Sequence, residues 1–267
     1  MTRRSLAPLR DARFRWYFLS RLVNQAGSTM APIALAFAVL EVSESAGALP
    51  PRTPTAGRSS IVQDLAEGWV YFRRTTWLWV VVLSFALLNA IHAGAFYTLG
   101  PIVAKQTAIG IHGWGLIMSA EAVGVLVLTV IMLRLPIRRP LLTGMLGAAL
   151  AGIPLVVMGL HPATAAVMVV AFAAGMGVEL FSLGWALAMQ ENVPDEMLSR
   201  ANSYDMLGSF VAIPAGQLAV VPLAGVFGER EILVAGGVAY VAIALLALAS
   251  PAVRDLPRAG AVTTGPR

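Results

Sequence analysis

Three acidic side chains stand inside otherwise apolar stretches of the chain, Glu121, Glu179 and Asp205. An ionisable group in such a place is costly to keep, so each is a candidate for exchanging a proton or holding a polar ligand. His92, with Asn89 one turn earlier, adds a polar pair. Gly175, Glu179, Ser182, Ala186 and Gln190 recur at helical spacing and make one small, polar face, the pattern of a helix lining a cavity. Asn89, His92, Glu121, Glu179 and Ser182 are therefore the candidate substrate-binding residues. Structural roles compete with this reading. Glu179 fits a protonated carboxyl bonded to a neighbouring helix, Glu121 lies seven residues after Trp114 and could reach interfacial water, and His92 fits a packed polar residue equally well. Arg200 and Asp205, five residues apart, read as a pair or as the anchor of a gate. His112 and His161 fall in expected loops.

Enzymatic chemistry has no foothold. There is no His-Glu-x-x-His, no nucleophile elbow and no glycine loop leading to a phosphate-binding lysine. The three histidines make no metal set, and the chain has no cysteine. No catalytic residue, cofactor or metal is expected; the chemistry on offer is reversible binding.

The elements that must position these residues follow from composition. Of 267 residues 58% are hydrophobic and only 12% charged, against about 25% charged in soluble domains. One soluble core of this size could not hide so much apolar surface. A membrane-spanning helix needs about 20 apolar residues, and seven stretches qualify: Trp16–Leu40, Trp77–Val103, Trp114–Leu133, Leu141–Leu160, Ala163–Met189, Ser199–Leu223 and Ile232–Ser250. They lack the alternation of barrel strands, so the fold class is an all-α polytopic membrane protein with about seven transmembrane helices. Residues 1–45 hold a basic segment and the first span, and residues 46–76 a linker. Residues 77–250 hold a six-helix bundle, and residues 251–267 a basic tail expected to be disordered. Within the linker, Ser60 and Gln63 fit a capping box. Ile61, Leu65, Trp69 and Phe72 share one face, which predicts a short amphipathic helix on the membrane surface. Small residues at four-residue spacing (Gly144, Ala148 and Gly152; Ala171 and Gly175; Gly208, Ala212 and Gly216) predict close helix crossings. Pro154 and Pro214 are expected to kink their spans. Trp16, Trp77 and Trp114 stand at span ends and read as interface anchors.

The net charge of +5 does not form a single basic stripe, so nucleic acid is not an expected partner. Arginine-rich, alanine-rich composition hints at a GC-rich bacterial source. Basic residues instead gather in alternate loops, as the positive-inside rule requires. With the second span starting inside, eleven arginines fall inside: Arg52, Arg58, Arg73, Arg74, Arg134, Arg138, Arg139, Arg200, Arg254, Arg258 and Arg267. Only Lys105 and Arg230 fall outside. The C-terminus is then cytoplasmic. The first span is frustrated, because Arg3, Arg4, Arg10, Arg13 and Arg15 before it and the arginine-rich linker after it both belong inside. A single crossing cannot satisfy both flanks.

Several segments carry a family resemblance. Arg13-Phe14-Arg15-Trp16 followed by Ser20 to Ser28 resembles the first transmembrane helix of the major facilitator superfamily, in its bacterial drug- and siderophore-exporter-like branch. Asp64 to Trp69, running to Trp77-Leu78-Trp79, resembles the central cytoplasmic helix entering the seventh. Leu133 to Pro140 resembles the basic turn between the eighth and ninth helices. Arg200-Ala201-Asn202-Ser203-Tyr204-Asp205-Met206-Leu207-Gly208-Ser209-Phe210 resembles the opening of the eleventh helix, and places Tyr204 with Arg200 and Asp205 as a gate or structural set.

The resemblance covers residues to about 45 as helix one and from about 60 as helices seven to twelve, with helices two to six missing. Loss of an odd number of helices also explains the charge conflict. By resemblance the chain is a multi-pass cell-membrane transporter, an exporter of small molecules or drugs by alternating access between two halves. The coupling ion is open, protons included. The family's glycine/aspartate loop after helix two and the ion-coupling positions of helices four and five have no counterpart here, which bears on activity of this chain alone. The alternative is a non-transporting bundle, a remnant or a subunit of another membrane complex. The expected partners are the lipid bilayer, a small-molecule substrate of unknown identity and, as an open reading, a second copy in a homodimer.

Overall fold

The computed structural model describes residues 68–135 and 137–257. The expected first span, the linker up to residue 67 with its Ser60–Gln63 capping box, Ile61 and Leu65, and the tail from residue 258 lie outside the described residues. Among the described residues there is no strand, and six helices are long and apolar enough to cross a membrane. A short helix, α1 (68–74), ends at Thr75, and α2 (Thr76–Gln106) begins at once. Then come α3 (Gly110–Met132), α4 (Pro140–Leu160), α5 (Thr164–Asn192), α6 (Asp195–Phe227), α7 (Glu229–Ala247) and the single turn α8 (Pro251–Arg254).

Two spans are interrupted, each at a proline. In α2 the α-helical stretch Thr76–Ile91 passes into a π-helical segment, His92–Leu99, before α-helix resumes over Gly100–Gln106. Pro101 has no N–H to return to the turn before it, and that gap in the ladder accommodates the wider coil. The Thr98 hydroxyl reinforces the segment by donating to the Ala93 carbonyl, 2.9 Å away and five residues back. In α4 the helix stops at Leu150 and restarts at Ile153, where Pro154 falls in the first turn. The helical run of α6 continues through both Pro214 and Pro222.

Packing follows the small residues. α5 lies against α3 on one side and α4 on the other, α7 packs on the second half of α4, and α2 pairs with α6. A side chain added at Gly175 would strike the Glu121 carbonyl, and one at Gly216 would strike the Ala90 carbonyl. Gly152 and Gly237 meet backbone to backbone between α4 and α7. The hydrophobic core forms two clusters. One holds Leu78, Val81, Leu141, Met145 and Ala188; the other holds Phe96, Leu99, Ile117, Leu155 and Met158.

Polar contacts tie the helix ends into two sets. At one end Gln106 bonds Glu229 at 3.3 Å, and the Arg230 guanidinium donates to the Gly159 and Leu160 carbonyls at 2.9 and 3.0 Å. At the other, Arg139 pairs with Asp255 at 3.6 Å, while α1 abuts the start of α6, with Gly68 against Arg200 and Tyr204. The α1 end carries Arg73, Arg74, Arg134, Arg138, Arg139, Arg200 and Arg254, and the opposite end, among the described residues, only Lys105 and Arg230.

Two expectations need correction. Trp77, expected as an interface anchor, is 8% exposed and meets Trp185 edge-on, so helix packing claims its indole. Trp114 is half-buried and fills the space left by Gly100 beside Phe96. His112 lies not in a loop but in the first turn of α3, where it is exposed.

Candidate functional site

The π segment of α2 turns His92 and Tyr97 into one cluster. The His92 ring stacks on Phe96 with centroids 5.0 Å apart, meets Tyr97 edge-on at 4.8 Å, and lies 6.1 Å from Tyr240 of α7. Phe96 in turn touches Trp114 of α3 at 5.1 Å. Glu121, two turns further along α3, is within electrostatic range of both the Tyr97 and Tyr240 hydroxyls. Two buried side-chain atoms have no hydrogen-bond partner among the described residues, His92 Nδ1 and Glu121 Oε2. Burying such atoms unpaired is unfavourable by about 1–3 kcal/mol each, so the two atoms retain unused hydrogen-bonding capacity beside shared aromatic neighbours.

Asn89 does not pair with His92. It sits a turn earlier and donates from Nδ2 to the Ser209 hydroxyl at 2.9 Å, bridging α2 to α6. Glu179 belongs to a different seam. It is 5% exposed and Oε1 accepts a hydrogen bond from Thr129 of α3 at 2.9 Å. Gly175, one turn before it, is pressed on the α3 backbone, so that part of the expected cavity-lining face is an interhelical contact. Ser182 and Gln190, further along α5, are exposed.

Arg200, Tyr204 and Asp205 lie together at the α1 end of α6. Tyr204 stacks in a trio with Trp69 and Phe72 of α1, at 5.7 and 5.2 Å. Arg200 reaches the Met197 sulfur at 3.7 Å, and Asp205 lies near the Trp185 indole of α5. Trp185 continues an aromatic ladder through Phe181 to Phe85, the last two stacked at 4.0 Å. Sequence reasoning missed Tyr97, Tyr240, Thr129 and Trp185. The spacing of Phe181 and Trp185, one turn apart on α5, was the one local signal available for the ladder.

The arrangement therefore offers a carboxyl and an imidazole with unpaired hydrogen-bonding atoms among aromatic rings near the middle of their helices, and a second polar set near the start of α6, beside α1. A sequence model described as the Major Facilitator Superfamily matches residues 26–217. No curated protein and no solved structure gives a significant match to the chain.

Proposed function

Because this chain belongs to the Major Facilitator Superfamily, a family of membrane transporters, we propose that it is an exporter of small molecules, drugs among them, working by alternating access. The observation that carries this reading is the pair of unpartnered buried atoms, His92 Nδ1 and Glu121 Oε2. A merely structural bundle gains nothing from leaving them unpaired. His92, Glu121, Tyr97 and Tyr240 would receive the substrate, with Glu121 able to exchange a proton. Asn89 would hold α2 on α6 beside the site, Glu179 would hold α3 on α5, and Ser182 would face the path from α5. Arg200, Tyr204 and Asp205 would close the α1 end.

The charge placement and the two-piece resemblance support a further proposal, that helices two to six of the usual twelve are absent. A two-lobed path then needs a second lobe, which a second copy of this chain could supply. The same charges support a cytoplasmic α1 end and C-terminus in a bacterial cell membrane.

Expression in an efflux-deficient bacterial strain tests the reading. Raised resistance to at least one compound of a drug panel is expected, reduced by His92→Ala and by Glu121→Gln at unchanged membrane abundance. If no compound moves and gene disruption has no phenotype, the non-transporting bundle is the correct reading.

A further inference from the structure

Between α2 and α6, beside α1, runs a groove of about 570 Å³ lined almost wholly by apolar atoms. Its floor is made of small side chains, Val82 and Ala86 of α2 with Gly208 and Ala212 of α6. Gly208 leaves the two helices apart rather than wedged, since a Cβ there would meet only Val82 and Ala86 at 3.6 and 3.7 Å. Leu83, Leu207 and Val211 form exposed walls, 56%, 59% and 62% accessible. At its deep end the groove is lined by Val211 and Ala212, past the Asn89–Ser209 bridge between the same two helices. The other end closes at the Trp69–Phe72–Tyr204 aromatic trio, and there the lining includes one cation, Arg73.

Lipid chains can cover any apolar face, so apolarity alone selects nothing. Length and charge do. The lining runs from Trp79 to Ala86 on α2 and from Tyr204 to Ala212 on α6, about 10–12 Å at 1.5 Å per residue, most of the roughly 15 Å that one leaflet contributes to the hydrocarbon core. A ligand that fills this groove is apolar for most of one leaflet's depth and anionic at its head, where an exposed guanidinium and three aromatic rings stand together. We propose that the α2–α6 groove is a binding site for an anionic phospholipid of the leaflet at the α1 end, its acyl chain along Val82, Ala86 and Gly208 and its phosphate on Arg73. Arg74, the next residue, does not line the groove and serves as the internal control.

The full chain in nanodiscs of phosphatidylcholine is titrated with brominated phosphatidylglycerol or brominated phosphatidylcholine. Tryptophan quenching is read as the difference between the wild type and Trp79→Phe, Trp79 being a wall of the groove. One arginine at the surface favours the anionic lipid about fivefold, so half-maximal quenching is expected at about one-fifth the mole fraction needed for phosphatidylcholine. Arg73→Gln is expected to remove the preference, Arg73→Lys to keep it, and Arg74→Gln to leave it in place. Gly208→Leu and Ala86→Leu, which fill the floor without touching the charge, are expected to lower the quenching reached by both lipids. Equal half-points for the two lipids in the wild type would overturn the proposal. So would loss of the preference in Arg74→Gln, which reports general surface charge, or unchanged quenching in both groove-filling variants.

Discussion

Glu121 and Glu179 are both carboxyls on the two helices that pack most closely, yet their surroundings assign them opposite effects on stability. Glu179 is matched by Thr129, a residue 50 positions away in the chain, whereas Glu121 keeps a buried oxygen without a partner. Replacing Glu179 removes a satisfied interhelical bond, although Thr129 keeps the Val125 carbonyl at 2.9 Å, and replacing an unsatisfied buried group relieves a desolvation cost of about 1–3 kcal/mol. Glu179→Met is therefore expected to destabilise the bundle, and Thr129→Val to do so by about 1 kcal/mol. Glu121→Met is expected to be neutral or stabilising while abolishing any transport. Thermal unfolding of the purified variants in one detergent checks this, and a reversed order of the two methionine variants would sink the assignment. Sequence reading placed both residues among the candidates for one reason, their cost in an apolar span. It could not separate them, because what distinguishes them is a contact between helices and not a property of either helix.

Helices were legible and their mutual faces only partly so. All six described spans fall where the runs of apolar residues put them, since about 20 such residues in a row leave no other way to satisfy the backbone. The glycine and alanine steps also pointed to crossings that exist, at Gly152, Gly175 and Gly216. The π segment of α2 was not read, because Pro101 signals a break without saying whether the coil widens, tightens or stops. Nor was the burial of Trp77, because an indole at a span end looks the same whether lipid or another helix surrounds it. The crossings give a sharp contrast between glycines. At Gly175 even an alanine methyl would overlap the Glu121 carbonyl, so α3 and α5 must separate. At Gly225, on α6, nothing lies within 4 Å of the added carbon, and alanine should gain up to about 1 kcal/mol of helix propensity. Gly175→Ala is expected to lower the unfolding temperature and Gly225→Ala to hold or raise it. If both variants unfold with the wild type, the α3–α5 crossing is looser than its backbone contacts imply.

At the scale of the whole molecule the question is which end faces the cytoplasm and how often the chain crosses. Six crossings place α1, the α3–α4 turn and α8 at one end, and the α2–α3, α4–α5 and α6–α7 turns at the other. The contacts agree, since Arg139 meets Asp255 at the first end and Gln106 meets Glu229 at the second. Seven described arginines crowd the first end, which the positive-inside rule assigns to the cytoplasm. The chain has no cysteine, so single cysteines report sidedness without a background. Gln106→Cys and Glu229→Cys are expected to react with a membrane-impermeant maleimide added to intact cells. Arg138→Cys and Asp255→Cys are expected to react only after the cells are opened. Ser45→Cys and Thr55→Cys then decide the frustrated first span, whose flanks both carry inside-type charge. Protection of both from outside, together with Arg138 and Asp255, is the outcome expected if residues 16–40 insert poorly or turn back. Labelling of both in intact cells would mean that this span crosses once and that the stretch holding Arg52 and Arg58 lies outside, against the charge rule. That result would remove the charge argument for five absent helices and leave the two-piece resemblance alone to support it.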